Sequence, residues 1–514
     1  MTEMQDTPPA AAGTTTNAPV AEGHLGEQKL TAIHAIGQSL AIGPMFSAGL
    51  LTGLVASVAG FSSPLSVLLG AIGALCLAYV ISVYARRYSG AGAMYEYLVH
   101  GAHPSVGVFG AGLYGLGVLF LGGGGVFIAN GFLAQSFFST HLHIDVTWWI
   151  WGAAALVLAV GLNHLGVRLA IRGVLVMASL SLIPFLILAV AIIAQGGSAG
   201  NTLSVFGTST VGWSGAFHGI LFAVTLFIGF EAAASIGEEA ENPHRSIPIA
   251  LLGSVALAGL FYLVVTYAAA IGFGAKGAAS AWPTDPSPMG TLAQQYVGKG
   301  LSTLIDLVVL LDSLTVAIAF VVTGSRVFFA LARDGLLPKP LARTSARDTP
   351  LGGNLVILAA GIAALLFGGL THYGAAAQLP DDIEAFSISA AAGSFLVEAV
   401  YALLAIAALR IIWGMATGWG RAWRLLVAAA GLATPLLAYY GSLHPFPTYP
   451  NNRGLIFAGI AAALVVVWLG YLHVVHPDRV RSAAGHANQL EVADPAIDTA
   501  LANVGVDSPS RTVT

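Results

Sequence analysis

The sequence predicts an all-α polytopic membrane protein of twelve transmembrane helices, on three observations. First, the 514 residues are 56% hydrophobic and only 9% charged, with a mean hydropathy of +0.81. A globular domain keeps its surface wet with about 25% charged residues, so this composition excludes a soluble fold. Second, the apolar residues gather into continuous runs long enough to cross about 30 Å of hydrocarbon. An outer-membrane barrel would instead show alternating segments of about ten residues. Third, basic residues alternate from loop to loop. With the N-terminus inside, sixteen of the 20 Lys and Arg, from Lys29 to Arg481, fall in inner loops, and only Lys276, Lys299 and Arg453 in outer ones. Arg511 lies too far from a span to count. The bias obeys the positive-inside rule and predicts a multi-pass protein of the cell (plasma or inner) membrane with both termini cytoplasmic.

Residues 1–28, rich in Ala, Thr, Pro and Gly, lack the basic n-region and apolar h-region of a signal peptide. They read as a disordered cytoplasmic tail, as do residues 477–514, because neither can bury enough surface to fold alone. Residues 29–476 form the twelve-helix domain. Its spans are expected near 31–57, 63–85, 105–137, 145–163, 172–195 and 215–237, then 248–274, 298–325, 354–371, 386–410, 422–443 and 452–475. Gly and Pro within them are tolerated because neighbouring helices re-satisfy the backbone. The single cysteine, Cys76, excludes a disulfide framework. A net charge of −4 with so few Lys and Arg gives no support to nucleic-acid binding.

Two segments carry the chemistry. In the first span, L-A-I-G-P-M-F (40–46) holds Gly43 and Pro44, and Pro44 breaks the helix while offering no N–H. In the sixth, F-A-V-T-L-F-I-G-F-E (222–231) places Gly229 and Glu231 in mid-membrane. A carboxylate in hydrocarbon costs several kcal/mol, about 3 on insertion scales, so it faces a cavity or a partner. Glu231 reads either as a gating or proton-linked acid or as a packing acid bonded to a neighbouring helix. Asp312, midway between Lys299 and Arg326, falls near the midplane by helical rise. It reads either as a coupling residue, with Ser313 or Thr315, or as a carboxylate satisfied by nearby hydroxyls. Asp306 lies nearer the outer face, within reach of water, and Glu398 lies in the tenth span too far from its ends to snorkel easily, with both readings open.

Other residues carry less. The Gly122–Gly125 run in the third span reads first as a close helix crossing and second as a vestibule. Asn130 reads as an interhelical amide and His34 as an interfacial histidine. His141 and His143 have no matching Cys or carboxylate spacing for a metal. The acids Glu238, Glu239 and Glu241 read as a solvated loop with Arg245 nearby.

Three stretches carry a resemblance. They are F-I-G-F-E with E-E-A-E-N-P-H-R-S-I-P (227–231 and 238–248), S-R-V-F-F-A-L-A-R-D-G-L-L-P with T-P (325–338 and 349–350), and, more loosely, Y-A-R-R-Y-S-G-A-G-A-M-Y-E-Y (84–97). On these the chain resembles the amino acid–polyamine–organocation transporter superfamily over nearly all of residues 29–476. The resemblance implies two inverted five-helix repeats, spans 1–5 and 6–10, with spans 11 and 12 peripheral and helices 1 and 6 broken at the midplane. Half-helix N-termini there favour a substrate carboxylate, and free carbonyls favour an ammonium. The implied substrate-binding residues are Leu40, Ile42, Gly43, Pro44, Met45, Thr225, Phe227, Ile228, Gly229 and Phe230, with Glu231 and Asp312 in coupling or gating. The family more often has Gly-x-Gly where this chain has Ile42-Gly43-Pro44, which leaves Gly43 and Met45 as the nearest carboxylate donors. The resemblance also implies that the acidic loop can latch the cytoplasmic gate.

The implied function is transport of amino acids, preferably neutral because few acids lie in the spans, by proton-coupled import. Exchange of an amino acid for an amine, polyamine or amine uptake, sodium coupling and a transporter-like sensor are the alternatives. Some family members carry a basic residue in the fifth span in place of sodium; residues 173–194 here have none. Neither a nucleophile–base pairing, a Walker sequence nor a cofactor signature points to an enzyme. The expected partners are a small amino acid or amine and the lipid bilayer.

Overall fold

The computed structural model describes residues 30–39, 43–208, 212–370, 381–415, 418–483 and 488–489. The chain is nearly all helical. Among the described residues, eleven helical stretches are long and apolar enough to cross a membrane. The first, Ala32–Ala85, has 54 residues and covers the first and second expected spans; each of the other ten coincides with one later span.

The first stretch is interrupted twice by glycine. Helix α1 (Ala32–Ser39) precedes the break, and α2 (Pro44–Phe46) restarts after Gly43, which has φ 60° and ψ 70°. Pro44 occupies the first helical position, where an N–H would have no intrahelical acceptor in any case. The helix runs on through a π-helical turn, Ser47–Leu51, into α3 (Thr52–Ala59). At Gly60 the chain turns through φ 49° and a short 3-10 turn into α4 (Ser63–Ala85).

A two-residue strand β1 (Tyr88–Ser89) and helix α5 (Met94–Gly101) lead to α6 (Pro104–Val118). A π-helical turn, Leu119–Gly125, joins α6 to α7 (Val126–Leu142). Its glycines serve close packing: a Cβ on Gly122 would lie 2.4 Å from Phe320, and one on Gly124 2.7 Å from the Ser389 hydroxyl. Helices α8 (Trp148–Leu165), α9 (Val167–Gln195) and α10 (Gly212–Thr225) follow. After a turn, residues Phe230–Glu239 form a 3-10 helix.

The second half comprises α11 (Pro243–Thr284), α12 (Pro288–Tyr296), α13 (Lys299–Arg333), α14 (Leu351–Leu370), α15 (Asp381–Met415), α16 (Gly418–Leu443) and α17 (Asn451–Val475). Helix α11 continues ten residues beyond the expected end near 274, turning at Gly274 with φ 70°. From Asp312 to Ala332 helix α13 is buried at every residue but Leu314, packed among α9, α14, α7 and α8. The most apolar windows of α8, α16 and α17 are the least buried, at 22%, 28% and 22%, against 72% for α13.

Within residues 477–514, α18 (Pro477–Arg481) is helical, and β2 (Asn488–Gln489) pairs antiparallel with β1. Arg479 anchors this segment by donating to the Gly335 carbonyl at 2.9 Å, and Val480 is buried. Residues 1–28, 484–487 and 490–514 lie outside the described residues.

Candidate substrate site at two helix breaks

At the first break the restarted helix presents backbone N–H groups that have no acceptor one turn back. One buried carboxylate takes two of them. Asp312 Oδ2 of α13 accepts from Met45 N–H at 2.9 Å and from Phe46 N–H at 2.8 Å. Its Oδ1 accepts from the Thr315 hydroxyl at 3.1 Å, although that hydroxyl is closer to the Asp312 carbonyl, at 2.7 Å. Asp312 is fully buried. Ser313 does not join it; its hydroxyl donates to Leu310, and its carbonyl accepts from Asn130, the interhelical amide expected there.

This changes the expectation for the donors. Met45 was expected to offer its N–H to a substrate carboxylate, and Asp312 already occupies it. A second anion on the same pair of donors would lie about 4 Å from Asp312 and be repelled by roughly 4 kcal/mol at an effective dielectric near 20. The two carboxylates are therefore alternatives at this position. Leu40 and Ile42 lie outside the described residues.

At the sixth-span break α10 ends in four turn residues, and Gly229 adopts φ 110°. Carbonyls freed by such a break were expected to face an ammonium, but most are satisfied locally. Tightened turns carry Leu226 N–H to Ala223, Phe227 to Val224, Ile228 to Thr225 and Phe230 to Phe227. The Tyr262 hydroxyl donates to the Leu226 carbonyl at 3.1 Å, and Ser39 to Phe230 at 2.7 Å. Among the described residues, the Ile228 carbonyl is the turn carbonyl with no such donor. Ile228 and Thr225 are half-buried, whereas Phe227, Gly229 and Phe230 are buried.

Glu231 sits beside this turn, buried and held from three sides. Its Oε1 accepts from Tyr114 of α6 at 3.2 Å, and its Oε2 from Tyr401 of α15 at 2.6 Å and Gly229 N–H at 3.0 Å. The acid thus ties three helical segments together. Sequence reasoning flagged Glu231 but missed both tyrosines; the signal available was a phenol within an apolar run, which needs a buried acceptor.

At the end of the molecule nearest Leu30, Glu241 and Arg245 of the acidic loop are exposed, as expected, but Glu238 and Glu239 are not solvated. Glu239 is buried and forms a two-point ion pair with Arg326, at 2.7 and 3.0 Å. Glu238 pairs likewise with Arg333, at 2.7 and 3.1 Å, and accepts from Ala91 N–H. Leu30 adds a backbone clasp, donating to Glu239 and accepting from Glu241. Desolvation explains the arrangement: charges withdrawn from water persist only when paired and hydrogen-bonded. Nearby Glu96 is buried, accepts from Gly92 N–H at 2.9 Å, and has its carboxyl pushed up to about 8 by burial and then by the Glu238 charge. Tyr95 bonds Asp334 at 2.6 Å.

The remaining candidates fall away from the breaks. Asp306 meets His141 at 3.1 Å and Ser287 at 2.5 Å. Glu398 is buried in α15, and His34 bonds Thr31 at 2.8 Å. No group of three metal-ligating side chains occurs among the described residues. A crevice lined by Leu69, Trp213 and Phe217 touches neither break.

Residues 36–470 match the sequence pattern of the amino acid permease family. The chain belongs to that family. The permease is 30% identical over 168 residues to the branched-chain amino acid permease BcaP of Lactococcus lactis, covering 33% of this chain and 35% of that protein. It is 28% identical over 357 residues to human cationic amino acid transporter 4, covering 64% and 54%. With the D-serine/D-alanine/glycine transporter of Escherichia coli it shares 28% over 145 residues, 28% of this permease and 29% of the relative. The matched stretches thus span between about a quarter and a half of these relatives' lengths.

Proposed function

We propose that this permease is a secondary active transporter that carries neutral α-amino acids by alternating access and imports them with protons. The observation that carries the reading is the pair of breaks: two left-handed glycines, Gly43 and Gly229, each beside a fully enclosed carboxylate. A zwitterion offers a carboxylate for the donor end at Met45 and Phe46 and an ammonium for the acceptor end at Ile228. Met45, Phe46, Phe227 and Phe230 supply apolar surroundings suited to an uncharged side chain. Relatives are named for branched-chain amino acids, for D-serine, D-alanine and glycine, and for cationic amino acids, so the preference for neutral substrates rests on the apolar surroundings alone.

In this reading the 54-residue first stretch counts as two spans, giving twelve with both termini cytoplasmic in the cell membrane. Spans 1–5 and 6–10 are the inverted repeats. The Leu30 clasp and the Glu239–Arg326 pair then close the cytoplasmic side, and Glu231 and Asp312 are the gating and coupling acids. Reconstituted proteoliposomes test the proposal. An inward proton gradient is expected to drive leucine accumulation without leucine inside. Uptake that requires internal substrate and ignores the gradient means exchange, and uptake that follows sodium alone means sodium coupling. Transport of amines with no α-amino acid accepted overturns the substrate class.

A further inference from the structure

We infer that Asp312 is a built-in occupant of the substrate's carboxylate position, so that loading an amino acid and protonating Asp312 are one event. The inference rests on the proposed function and adds how its coupling group works. The helix beginning at Pro44 runs without interruption to Ala59, and its first two available N–H groups both point at Asp312 Oδ2. Nothing else holds that carboxylate firmly. Its remaining donor, Thr315, belongs to its own helix and is already bonded to a backbone carbonyl. No cation pairs with Asp312 among the described residues.

The ionisable groups on neighbouring elements are engaged elsewhere. Helix α9 has none between residues 173 and 195, and α14 has none. Tyr262 of α11 lies near enough to Asp312 to feel its charge, but its hydroxyl donates to Leu226; His141 of α7 meets Asp306, and Tyr296 of α12 donates to Gly272. His164 lies at the far end of α8, and Glu231 is held by Tyr114 and Tyr401. An incoming carboxylate therefore meets one competing anion, at the atoms it must contact. It takes the N–H groups of Met45 and Phe46, and Asp312, deprived of both, takes a proton from water to become a neutral acid. On release the carboxylate leaves, Asp312 gives up its proton and returns to the amides. One amino acid thus moves with one proton.

The test uses the purified full-length chain in weakly buffered detergent with a pH-indicating dye, and two probes, leucine and isoamylamine, its decarboxylated counterpart. Wild-type protein is expected to take up close to one proton per leucine bound and none with isoamylamine. Its apparent leucine affinity falls by up to tenfold per pH unit above the titration of Asp312. In Asp312→Asn, leucine binding takes up no proton, and its affinity changes less than about twofold over the same range. Leucine binding by wild type without proton uptake overturns the inference and leaves the transport reading standing, as does an Asn variant with the wild-type pH slope. Binding of isoamylamine with none of leucine overturns the transport reading itself. Should the Asn variant not fold, the wild-type proton count with the two probes decides.

Discussion

The two helix breaks use the same parts to different ends. Each has a left-handed glycine and a buried acid bonded to backbone N–H, but the acids differ in what else holds them. Glu231 receives hydroxyls from two other helices, Tyr114 and Tyr401, besides the N–H of Gly229. Asp312 receives amides from across the break and one hydroxyl from its own helix. Glu231 therefore ties α6, the sixth-span turn and α15 together in this conformation, whereas Asp312, in the exchange inferred above, is a ligand that another carboxylate can replace. Residue type and depth do not separate the two acids; their donors do.

The largest expected effect breaks this contrast most sharply. Glu231→Ala leaves two phenols and one amide buried without an acceptor, each costing ~1–3 kcal/mol. Asp312→Ala leaves two buried amides at a helix start, at the same ~1–3 kcal/mol each, and a hydroxyl that keeps its carbonyl, so one group fewer is orphaned. Thermal unfolding in detergent should show Glu231→Ala as clearly the less stable variant. Equal losses would remove the distinction between tie and ligand.

Gly43→Ala comes next. Its φ of 60° is unfavourable for an L-residue by ~1–2 kcal/mol, and the added Cβ would lie 2.2 Å from Val316 Cγ2. The variant should displace α2 from Asp312, weakening amino acid binding more than tenfold while the tie at Glu231 survives. Unchanged affinity would show that the alignment of Met45 and Phe46 with Asp312 does not govern binding.

A further effect concerns the region at the Leu30 end, which works by charge pairing instead of exchange. Glu96 holds its proton more tightly when folded, about 8 against an ordinary 4.5. Its stabilising contribution is thus complete below about 4.5 and is lost as pH rises through about 8. Glu96→Gln should flatten the decline of stability across that window. A decline as steep as in wild type would place its cause elsewhere.

Much of the fold was legible because hydrocarbon imposes length and continuity on every span, and each expected span from the third to the twelfth has a helical counterpart. Gly43-Pro44 and Gly229 marked the breaks, since only such residues interrupt an apolar run at that depth. The contacts that assign roles were not legible. Asp312 meets Met45 and Phe46 across 267 and 266 residues, and Glu231 meets Tyr114 and Tyr401 across 117 and 170. The acidic loop misled for the same reason: Glu239 looked solvated until Arg326, 87 residues away, was placed against it. Sequence marks which groups must find a partner within the membrane, and packing alone decides which partner.

Infrared difference spectroscopy on leucine addition tests the central claim most directly. Leucine labelled with carbon-13 at its carboxyl group separates substrate bands from protein bands. The account predicts that a protonated-carboxyl band from the protein appears on binding to wild type and is missing in Asp312→Asn. Leucine binding without that band, or with the same band in the Asn variant, would contradict it.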